Sequence, residues 1–314
     1  MKKTTTLTLT LLALLFVATP QLFAQKNDAP KREGIDIALY GNVESLSVMD
    51  YELKDYFGEV VTGKRTGLVI YTFDQKGNVT ECAWRKSDGS LYRKYTYRYD
   101  SAGRKVEEAR YYGAGSLNTK ALYKYDSKGN LIESQELRPD GSQDKKTTWK
   151  YNAEGVKLEE VRYNADGSLA GKTFYRADQE GNIVDEARYN ADGSLASKVL
   201  TEYTADGQKD WQVRFNSDGT IESLYRYTYE YDSHGNLVKW VQCDGDDNVV
   251  EKYTYKYDSR GNRVEAHRYG ADGLRIKKVV YTYDEAGNIV EQMTFKNVID
   301  IPEMLQEYKV TYRK

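Results

Sequence analysis

Between residues 71 and 290 the chain is built from short stretches in which aromatic or apolar side chains alternate with polar ones. The stretches are about nine residues long and rich in Tyr, Val, Thr and Ile. A period of two is typical of β-strands whose two faces differ. The connections are too short for parallel crossovers, so the strands must follow one another as antiparallel hairpins. The pattern predicts an all-β protein.

Polar turns separate the stretches at a fixed spacing. Glycines recur every 26 residues, with one step of 28, and a second series follows about twelve residues after the first. The first series is Gly77, Gly103, Gly129, Gly155, Gly181, Gly207, Gly235, Gly261 and Gly287. Most of these glycines follow an Asp three residues earlier, which can accept a backbone hydrogen bond, and Gly tolerates a positive φ. D-x-x-G therefore predicts a type I turn with a bulge, and each 26-residue unit contains two strands.

The turns also predict a register between neighbouring strands. If Asp100 pairs with Arg104, Tyr97 lies opposite Glu107. The same reasoning across the second series of turns pairs Glu160 with Lys172, Glu108 with Lys120 and Glu186 with Lys198. Opposite charges on facing strands contribute about 0.2–1 kcal/mol per pair, so the charges agree with this register.

In this register the sheet has an aromatic face and a charged face. The aromatic face carries Tyr97, Tyr123, Trp149, Tyr175, Tyr229, Tyr255 and Tyr281, the column that starts at Tyr99, and Tyr111, Tyr163, Tyr189, Phe215 and Tyr269. The charged face carries the lysine column that starts at Lys94, together with Arg110, Arg162, Arg188, Arg214 and Arg268. We expect the native twist to coil the sheet with the aromatic face inside. The sequence leaves open whether the coil closes.

The two ends depart from the repeat. Residues 1–24 have the basic start, the short apolar core and the small final residue of a signal peptide; an uncleaved signal anchor is the alternative. We expect residues 25–33 to be disordered, 34–73 to form a capping hairpin, 74–288 to form the repeat array, and 289–314 to add two capping strands joined around Ile301-Pro302.

Composition narrows the possible functions. The chain has 314 residues, 29 tyrosines, two histidines, two cysteines and a net charge of −2. A nearly neutral chain argues against a protein that coats nucleic acid, and two histidines leave little room for His-based catalysis. No segment after the signal has 18 consecutive apolar residues, so we expect no membrane insertion after signal cleavage.

Three further groups of residues carry possible chemistry. The loop Asp244–Asn248 offers oxygen ligands that hint at Ca²⁺, but it occupies an ordinary turn position and lacks the distal Glu of an EF-hand. The glutamates at 107–108, 133 and 159–160 are the residues of a possible glycosidase pair, but the facing Lys and Arg favour ion-pair ladders. Cys82 and Cys243 are predicted on opposite faces and far apart, so we expect both to be free thiols.

The turn sequences resemble a known family. Tyr99-Asp100-Ser101-Ala102-Gly103-Arg104 and Tyr125-Asp126-Ser127-Lys128-Gly129-Asn130-Leu131 are similar to the YD repeat, also called the RHS repeat. Similar segments are residues 231–237, 257–263 and 283–289. The resemblance implies β-hairpins in one continuous spiralling sheet, and an association with carbohydrate. Large members form shells around toxin cargo, whereas this chain has only about eight units and no toxin domain after them.

The sequence therefore predicts a long antiparallel β-hairpin meander, a twisted and coiled single sheet of about 19–20 strands. We expect an exported, periplasmic or extracellular protein without catalytic residues, metal or cofactor, which binds glycan or another envelope component through its aromatic face. The alternative is a structural or protein–protein interaction module of the cell envelope. The candidate ligand-binding residues, chosen near the 28-residue step, are Trp211, Tyr229, Tyr231, Trp240, Tyr255 and Tyr257.

Overall fold

A computed structural model describes residues 37, 39–56, 59–113, 115–296 and 300–314. The expected signal peptide and the expected disordered segment lie outside these residues. The described residues form twenty β-strands. The strands are β1 Val43–Tyr56, β2 Glu59–Phe73, β3 Val79–Arg85, β4 Leu91–Tyr99, β5 Lys105–Tyr112, β6 Leu117–Tyr125, β7 Leu131–Leu137, β8 Gln143–Tyr151, β9 Lys157–Tyr163, β10 Leu169–Ala177, β11 Ile183–Asn190, β12 Leu195–Tyr203, β13 Lys209–Phe215, β14 Ile221–Tyr231, β15 Leu237–Cys243, β16 Val249–Tyr257, β17 Arg263–Tyr269, β18 Arg275–Tyr283, β19 Ile289–Lys296 and β20 Ile301–Tyr312.

The predicted turns are present at both ends of the strands. In the turn between β4 and β5, the Asp100 backbone N–H donates to the Arg104 carbonyl at 2.9 Å, and the Gly103 N–H donates to the Asp100 carbonyl at 3.0 Å. Gly103 has φ of 79°, in the left-handed region that glycine adopts without a Cβ clash. The Asp100 carboxylate accepts the Arg104 N–H at 2.9 Å, which explains the Asp in D-x-x-G.

The sheet closes on itself. Every strand pairs antiparallel with the next one along the chain, as the meander predicted, and β1 also pairs antiparallel with β20, for example Ser47 with Lys309. The described strands therefore form a closed twenty-stranded barrel and not an open coil. The two terminal hairpins, expected to cap the edges of an open sheet, instead pair with each other at a seam. Pro302 lies within β20 opposite Phe295, where the register shifts.

The predicted register is wrong by one residue at each turn. Tyr97 lies opposite Glu108, not Glu107. Lys172 lies opposite Val161, Lys120 opposite Ala109 and Lys198 opposite Ala187, instead of the predicted glutamates. The reason is a bulge beside each turn, such as the one between Arg98 and Tyr99, which adds a residue to one strand. A slip of one residue moves every side chain of the following strand to the other face.

The side chains on each of the two faces therefore differ from the predicted ones. Arg110, Arg162, Arg188, Arg214 and Arg268 share the face of Tyr97 and its equivalents, contrary to expectation. Tyr111, Tyr163, Tyr189, Phe215 and Tyr269 lie opposite lysines on the other face, again contrary to expectation. We call the face that carries Tyr97 and the arginines the inner face, and the face that carries Lys94 and Tyr111 the outer face.

Burial identifies the concave side. Trp240, Tyr253 and Tyr255 lie on the inner face and are only 5–7% exposed, whereas Phe174 on the outer face is 45% exposed. On the outer face, the side chains of Arg98 and Lys150 are both 73% exposed. Side chains converge on the concave side of a barrel and diverge on the convex side. The face with the tyrosine columns therefore lines the lumen, as predicted.

The register fixes the tilt and the width of the barrel. Cross-strand partners lead from Tyr97 on β4 through Glu108, Ala121 and Glu136 to Lys145 on β8. The residue of β8 that is equivalent to Tyr97 is Trp149, so the pairing shifts by four residues over four strands. A drift of about one residue per strand corresponds to a strand tilt of about 35°. With a circular cross-section, a barrel of twenty strands at this tilt has a backbone diameter of about 37 Å. Eight strands already suffice to enclose a side-chain-filled interior, so this barrel is wide enough for a lumen.

The most deeply buried apolar cluster lies at the seam. Leu39, Leu46 and Val43 are at most 2% exposed and pack with Phe73 and Val79. The segment before β1 is held there, since the Tyr40 N–H donates to the Asn288 side chain at 2.7 Å. This cluster fills the lumen beside β1 and stabilises the closing pair of strands.

Candidate functional site

The lumenal face is the candidate site. Hydrogen bonds hold several of its tyrosines in place. Six tyrosines at the ends of strands each donate from the hydroxyl to a backbone carbonyl twenty residues earlier. These pairs are Tyr99 to Val79, Tyr125 to Lys105, Tyr151 to Leu131, Tyr203 to Ile183, Tyr257 to Leu237 and Tyr283 to Arg263, at 2.7–3.1 Å. The acceptor is the first residue of the preceding strand in each hairpin. Each of these six tyrosines thus ties the end of its own strand to the start of the strand before it.

A second column on the inner face carries a cation in alternate repeats, next to rings of the Tyr97 column. The first residue after the Asp turns reads Lys105, Leu131, Lys157, Ile183, Lys209, Leu237, Arg263 and Ile289. The Lys105 ammonium lies 5.6 Å from the ring centroid of Tyr97 and 5.0 Å from that of Tyr123. Arg263 lies in the same way between Tyr255 and Tyr281, at 5.4 and 5.3 Å. Such contacts contribute about 0.5–2 kcal/mol each, and the alternation doubles the repeat to 52 residues.

The third column is the arginine column, Arg110, Arg162, Arg188, Arg214 and Arg268. Arg110 donates to Glu108 at 2.9 Å and Arg188 contacts Glu186 at 2.7 Å. The five side chains keep 40–50% of their surface exposed, so the lumen contains solvent at their level. Planar guanidinium groups beside solvent are free to form further paired hydrogen bonds with a ligand.

Electrostatics hold Glu108, on the inner face, in its charged form. Burial alone would raise the pKa of Glu108, but the hydrogen bond from Arg110 and the charges of Lys105 and Arg110 outweigh it and lower the pKa below its ordinary value. Burial raises the pKa of the Tyr175 hydroxyl to about 12, helped by the charges of Glu160 and Glu186. At neutral pH Glu108 is therefore ionised and the Tyr175 phenol is protonated.

Four of the six predicted binding residues come together. Tyr229, Trp240, Tyr255 and Tyr257 belong to a packed aromatic cluster on the inner face with Tyr253, in which the Trp240 and Tyr253 ring centroids are 5.4 Å apart. Tyr231 ends β14 outside this cluster, and its hydroxyl accepts from the Gln208 side chain. Trp240 and Tyr255 are only 5% and 7% exposed, so their rings serve packing more than ligand contact.

Trp211 does not join this cluster. It pairs with Glu202 and Arg226 on the outer face, and its indole N–H donates to Glu202. The bulge at each turn shifts the register of β13, so Trp211 lies on the face opposite to Tyr229 and Trp240. Cys243 also lies on the outer face, opposite Arg226.

The wall from β8 to β13 carries groups that the sequence prediction missed. There the inner face has Lys145, Lys157, Arg162, Arg188, Lys209 and Arg214, with Glu160 and Glu186 between them. The positions occupied by Tyr95 and Tyr253 elsewhere are taken by Thr147, Thr173 and Val199. The alternation of cations after the turns was visible in the sequence, but assigning the arginines to this face required the bulges.

The other candidate groups have structural roles. Asp244 accepts the N–H groups of Asp246 and Asn248, at 3.0 and 2.9 Å, as the other turn aspartates do. Within the described residues no cluster of three metal-ligating side chains occurs. Glu107 contacts Lys120 at 3.1 Å and Glu133 contacts Lys146 at 2.8 Å, so an ion-pair ladder is present on the outer face, with partners other than the predicted ones. Cys82 and Cys243 are both free thiols, as predicted.

No apolar helix long enough to cross a bilayer occurs in the described part of the chain. No protein-family model matches the sequence, and no curated protein matches it. The YD-repeat relationship therefore stays a prediction.

Several solved structures align with this chain. A porin-like protein from Bacteroides uniformis is 12% identical, with a TM-score of 0.36, over 86% of this chain and 96% of that one. A porin-like protein from Bacteroides vulgatus is 12% identical, with a TM-score of 0.25, over 84% and 98%. The Photorhabdus luminescens Tc holotoxin pore is 11% identical, with a TM-score of 0.26, over 76% of this chain and 19% of that one. At such low TM-scores, the fold assignment rests on the strand pairing of this chain itself.

Proposed function

We propose that this protein is an exported, non-enzymatic binding protein that holds a glycan in its lumen. The observation that carries the proposal is the solvated inner wall, where aromatic rings stand beside half-exposed arginines and the glutamates that they contact. Ring faces suit the apolar faces of sugars, while guanidinium and carboxylate groups bind hydroxyls. The binding surface lies mainly on β8–β13, which leaves the buried ring cluster around Trp240 as its support.

The lumenal carboxylates favour binding over hydrolysis. A glycosidase needs one carboxylic acid with a raised pKa beside a carboxylate. Glu108 instead has a lowered pKa, since Arg110 and Lys105 both contact it. Glu160 accepts hydrogen bonds from the Trp149 indole N–H at 3.0 Å and the Tyr175 hydroxyl at 3.4 Å. These contacts fix the carboxylates in place as hydrogen-bond acceptors.

The test is a glycan array followed by titration calorimetry with the best-bound oligosaccharide. Tyr175→Ala removes a lumenal ring, and Tyr189→Ala is the matched control because Tyr189 lies opposite Lys172 on the outer face. We expect about tenfold weaker binding for Tyr175→Ala, which corresponds to about 1.4 kcal/mol, and unchanged binding for Tyr189→Ala. Binding to no glycan, or equal loss in both variants, would overturn the proposal. Variants of Trp240 or Tyr255 test packing instead, because both rings are buried.

A second candidate function, protein–protein interaction, rests on the hairpin of β1 and β2. Its outer part, residues 53–56 and 59–62, pairs only within itself among the described residues, since β20 pairs with β1 only as far as Glu52. Tyr56, Val60 and Val61 are 66%, 47% and 40% exposed there. Exposed apolar side chains on free strand edges suit strand addition by a partner protein. Capture of one envelope protein by the native chain, lost in Val60→Lys, would favour this function.

A further inference from the structure

We infer that the ligand of the lumen is an anionic glycan, a polymer bearing uronate or sulfate groups; this rests on the proposed glycan-binding function. The inner wall of β8–β13 carries an excess of cations. Two columns supply them: the arginine column, with Arg162, Arg188 and Arg214, and the column after the turns, with Lys157 and Lys209.

Most of these cations are not neutralised by the protein. Lys157 and Lys209 have no ion-pair partner within 4.0 Å among the described residues, and Lys157 instead lies 5.2 Å from the Tyr175 ring centroid. Arg162 and Arg214 are only loosely paired, at 3.8 Å from Glu160 and 3.6 Å from Glu222. Arg188 is tightly paired with Glu186 but stays half exposed.

The outer face contrasts with this wall. There most of the strand lysines are matched by carboxylates, as in Lys150 with Glu159 at 2.5 Å and Lys124 with Glu133 at 2.7 Å, whereas Lys172 and Lys252 lie beside Tyr189 and Tyr269. The whole chain has a net charge of −2, so the excess of cations is local to the lumen. A concave wall of one charge focuses its field into the cavity and raises the local concentration of anions.

The geometry of the arginine column suits a polymer with regularly spaced anionic groups. Arg162, Arg188 and Arg214 stand on every second strand, β9, β11 and β13, so with a drift of one residue per strand their Cα atoms are about 12 Å apart. A guanidinium group binds a carboxylate or sulfate through two parallel hydrogen bonds. A chain with one acid group per disaccharide places its charges at a comparable spacing, and its remaining hydroxyls meet Tyr175 and Ser197 on the same wall.

The test is titration calorimetry with polygalacturonate and chondroitin sulfate oligosaccharides, with neutral dextran oligosaccharides as the matched probe, at low and physiological salt. The double variant Arg162→Gln with Arg214→Gln removes the two loosely paired guanidinium groups, and Arg98→Gln with Lys150→Gln is the control on the outer face. We expect binding of the acidic probes only, weakened by salt, and at least about tenfold weaker in the lumenal variant. The outer-face variant should bind as the native chain does.

Each contrary outcome has its own meaning. Equal binding of dextran, without salt dependence, would overturn the anionic ligand and leave the glycan-binding proposal standing. Binding of no carbohydrate would overturn both, and equal binding of polyglutamate would overturn the assignment to a sugar. Thermal unfolding checks that each variant folds. If the double variant does not fold, Lys157→Gln replaces it, and unchanged affinity for the acidic probes in that variant would also overturn the inference.

Discussion

The most regular residue in the chain, the Tyr before each Asp turn, acts through its hydroxyl. Six of these hydroxyls donate to the backbone carbonyl of the first residue of the preceding strand. The excess of 29 tyrosines is thus explained in part by a repeated structural hydrogen bond and in part by ring packing. The residues that face solvent in the lumen are the arginines between these rings.

Removing one such hydroxyl should have a measurable cost. Tyr257→Phe deletes the 2.8 Å hydrogen bond to the Leu237 carbonyl, and we expect the free energy of unfolding to fall by about 1 kcal/mol. Tyr111→Phe on the outer face is the control, because that ring contacts Lys94 through its π face at 5.3 Å. Chemical denaturation of both variants gives the comparison. Equal effects in the two variants would refute the role assigned to the turn tyrosine.

The turn aspartates make stability depend on pH. Hydrogen bonds from the turn lower the pKa of Asp126 below its ordinary value of 3.8; the side chain of Asn130 contributes most. Asp100, Asp178 and Asp232 behave in the same way. A carboxylate whose pKa is lower in the folded state stabilises that state above the unfolded pKa, and the stabilisation is lost as pH falls through the folded pKa.

We therefore expect the melting temperature to fall steeply as the pH drops below about 4. Asp126→Asn should be milder than Asp126→Ala, since Asn152 already accepts the Val156 N–H at 2.8 Å in the equivalent turn. Melting curves at pH 7, 5, 4 and 3 measure both effects. A melting temperature that is constant or higher at pH 3 contradicts the role of these carboxylates.

At the scale of elements, the strands and turns followed from the sequence and the pairing register did not. The spacing of Gly103 and its equivalents places every hairpin correctly, because D-x-x-G encodes its own turn. The register failed because a second bulge lies beyond the turn, next to the Tyr99–Lys105 pair, and no residue type announces that one. That one-residue error exchanged Arg110 and Tyr111 between faces, so the sequence located the aromatic cluster but missed the arginine column.

The seam between β1 and β20 is the element on which closure depends. Leu46 is fully buried there, and Leu46→Ala should destabilise the protein by about 2–5 kcal/mol because it leaves a cavity beside Val43 and Phe73. Leu158, on β9, is 42% exposed, so Leu158→Ala is the matched control with an effect near zero. Denaturation midpoints measure the difference. Similar losses in the two variants would show that the seam does not stabilise the fold.

At the scale of the whole molecule, closure could not be predicted because it depends on accumulated twist over twenty strands. Each hairpin is a local unit, but the pairing of residue 47 with residue 309 joins the two ends of the chain. The closed sheet turns one face inward and creates a solvated lumen. The proposed ligand chemistry then follows from which charges the bulges place on that face.

The outer surface also makes a prediction about lipid. Ion pairs such as Lys150 with Glu159 and Lys256 with Glu265 lie on the outward face of the strands, and the two lysine side chains are 73% and 70% exposed. Placing a lysine at the middle of a bilayer costs about 2–4 kcal/mol. We expect the purified protein to stay at the bottom of a flotation gradient with neutral phosphatidylcholine vesicles. Co-flotation that resists high salt would contradict this expectation.

Closure of the barrel is tested most directly by a disulfide across the seam. Ser47→Cys with Lys309→Cys places two thiols on directly paired residues of β1 and β20, in a Cys243→Ser background that removes the native thiol on the outer face. After oxidation, non-reducing electrophoresis and mass spectrometry should show a cross-link between the two new cysteines of one chain, at monomer mass. Variants with only one of the two new cysteines should stay uncrosslinked. If the thiols of both new cysteines remain free, or if they form cross-links only between two chains, the closed twenty-stranded barrel is contradicted.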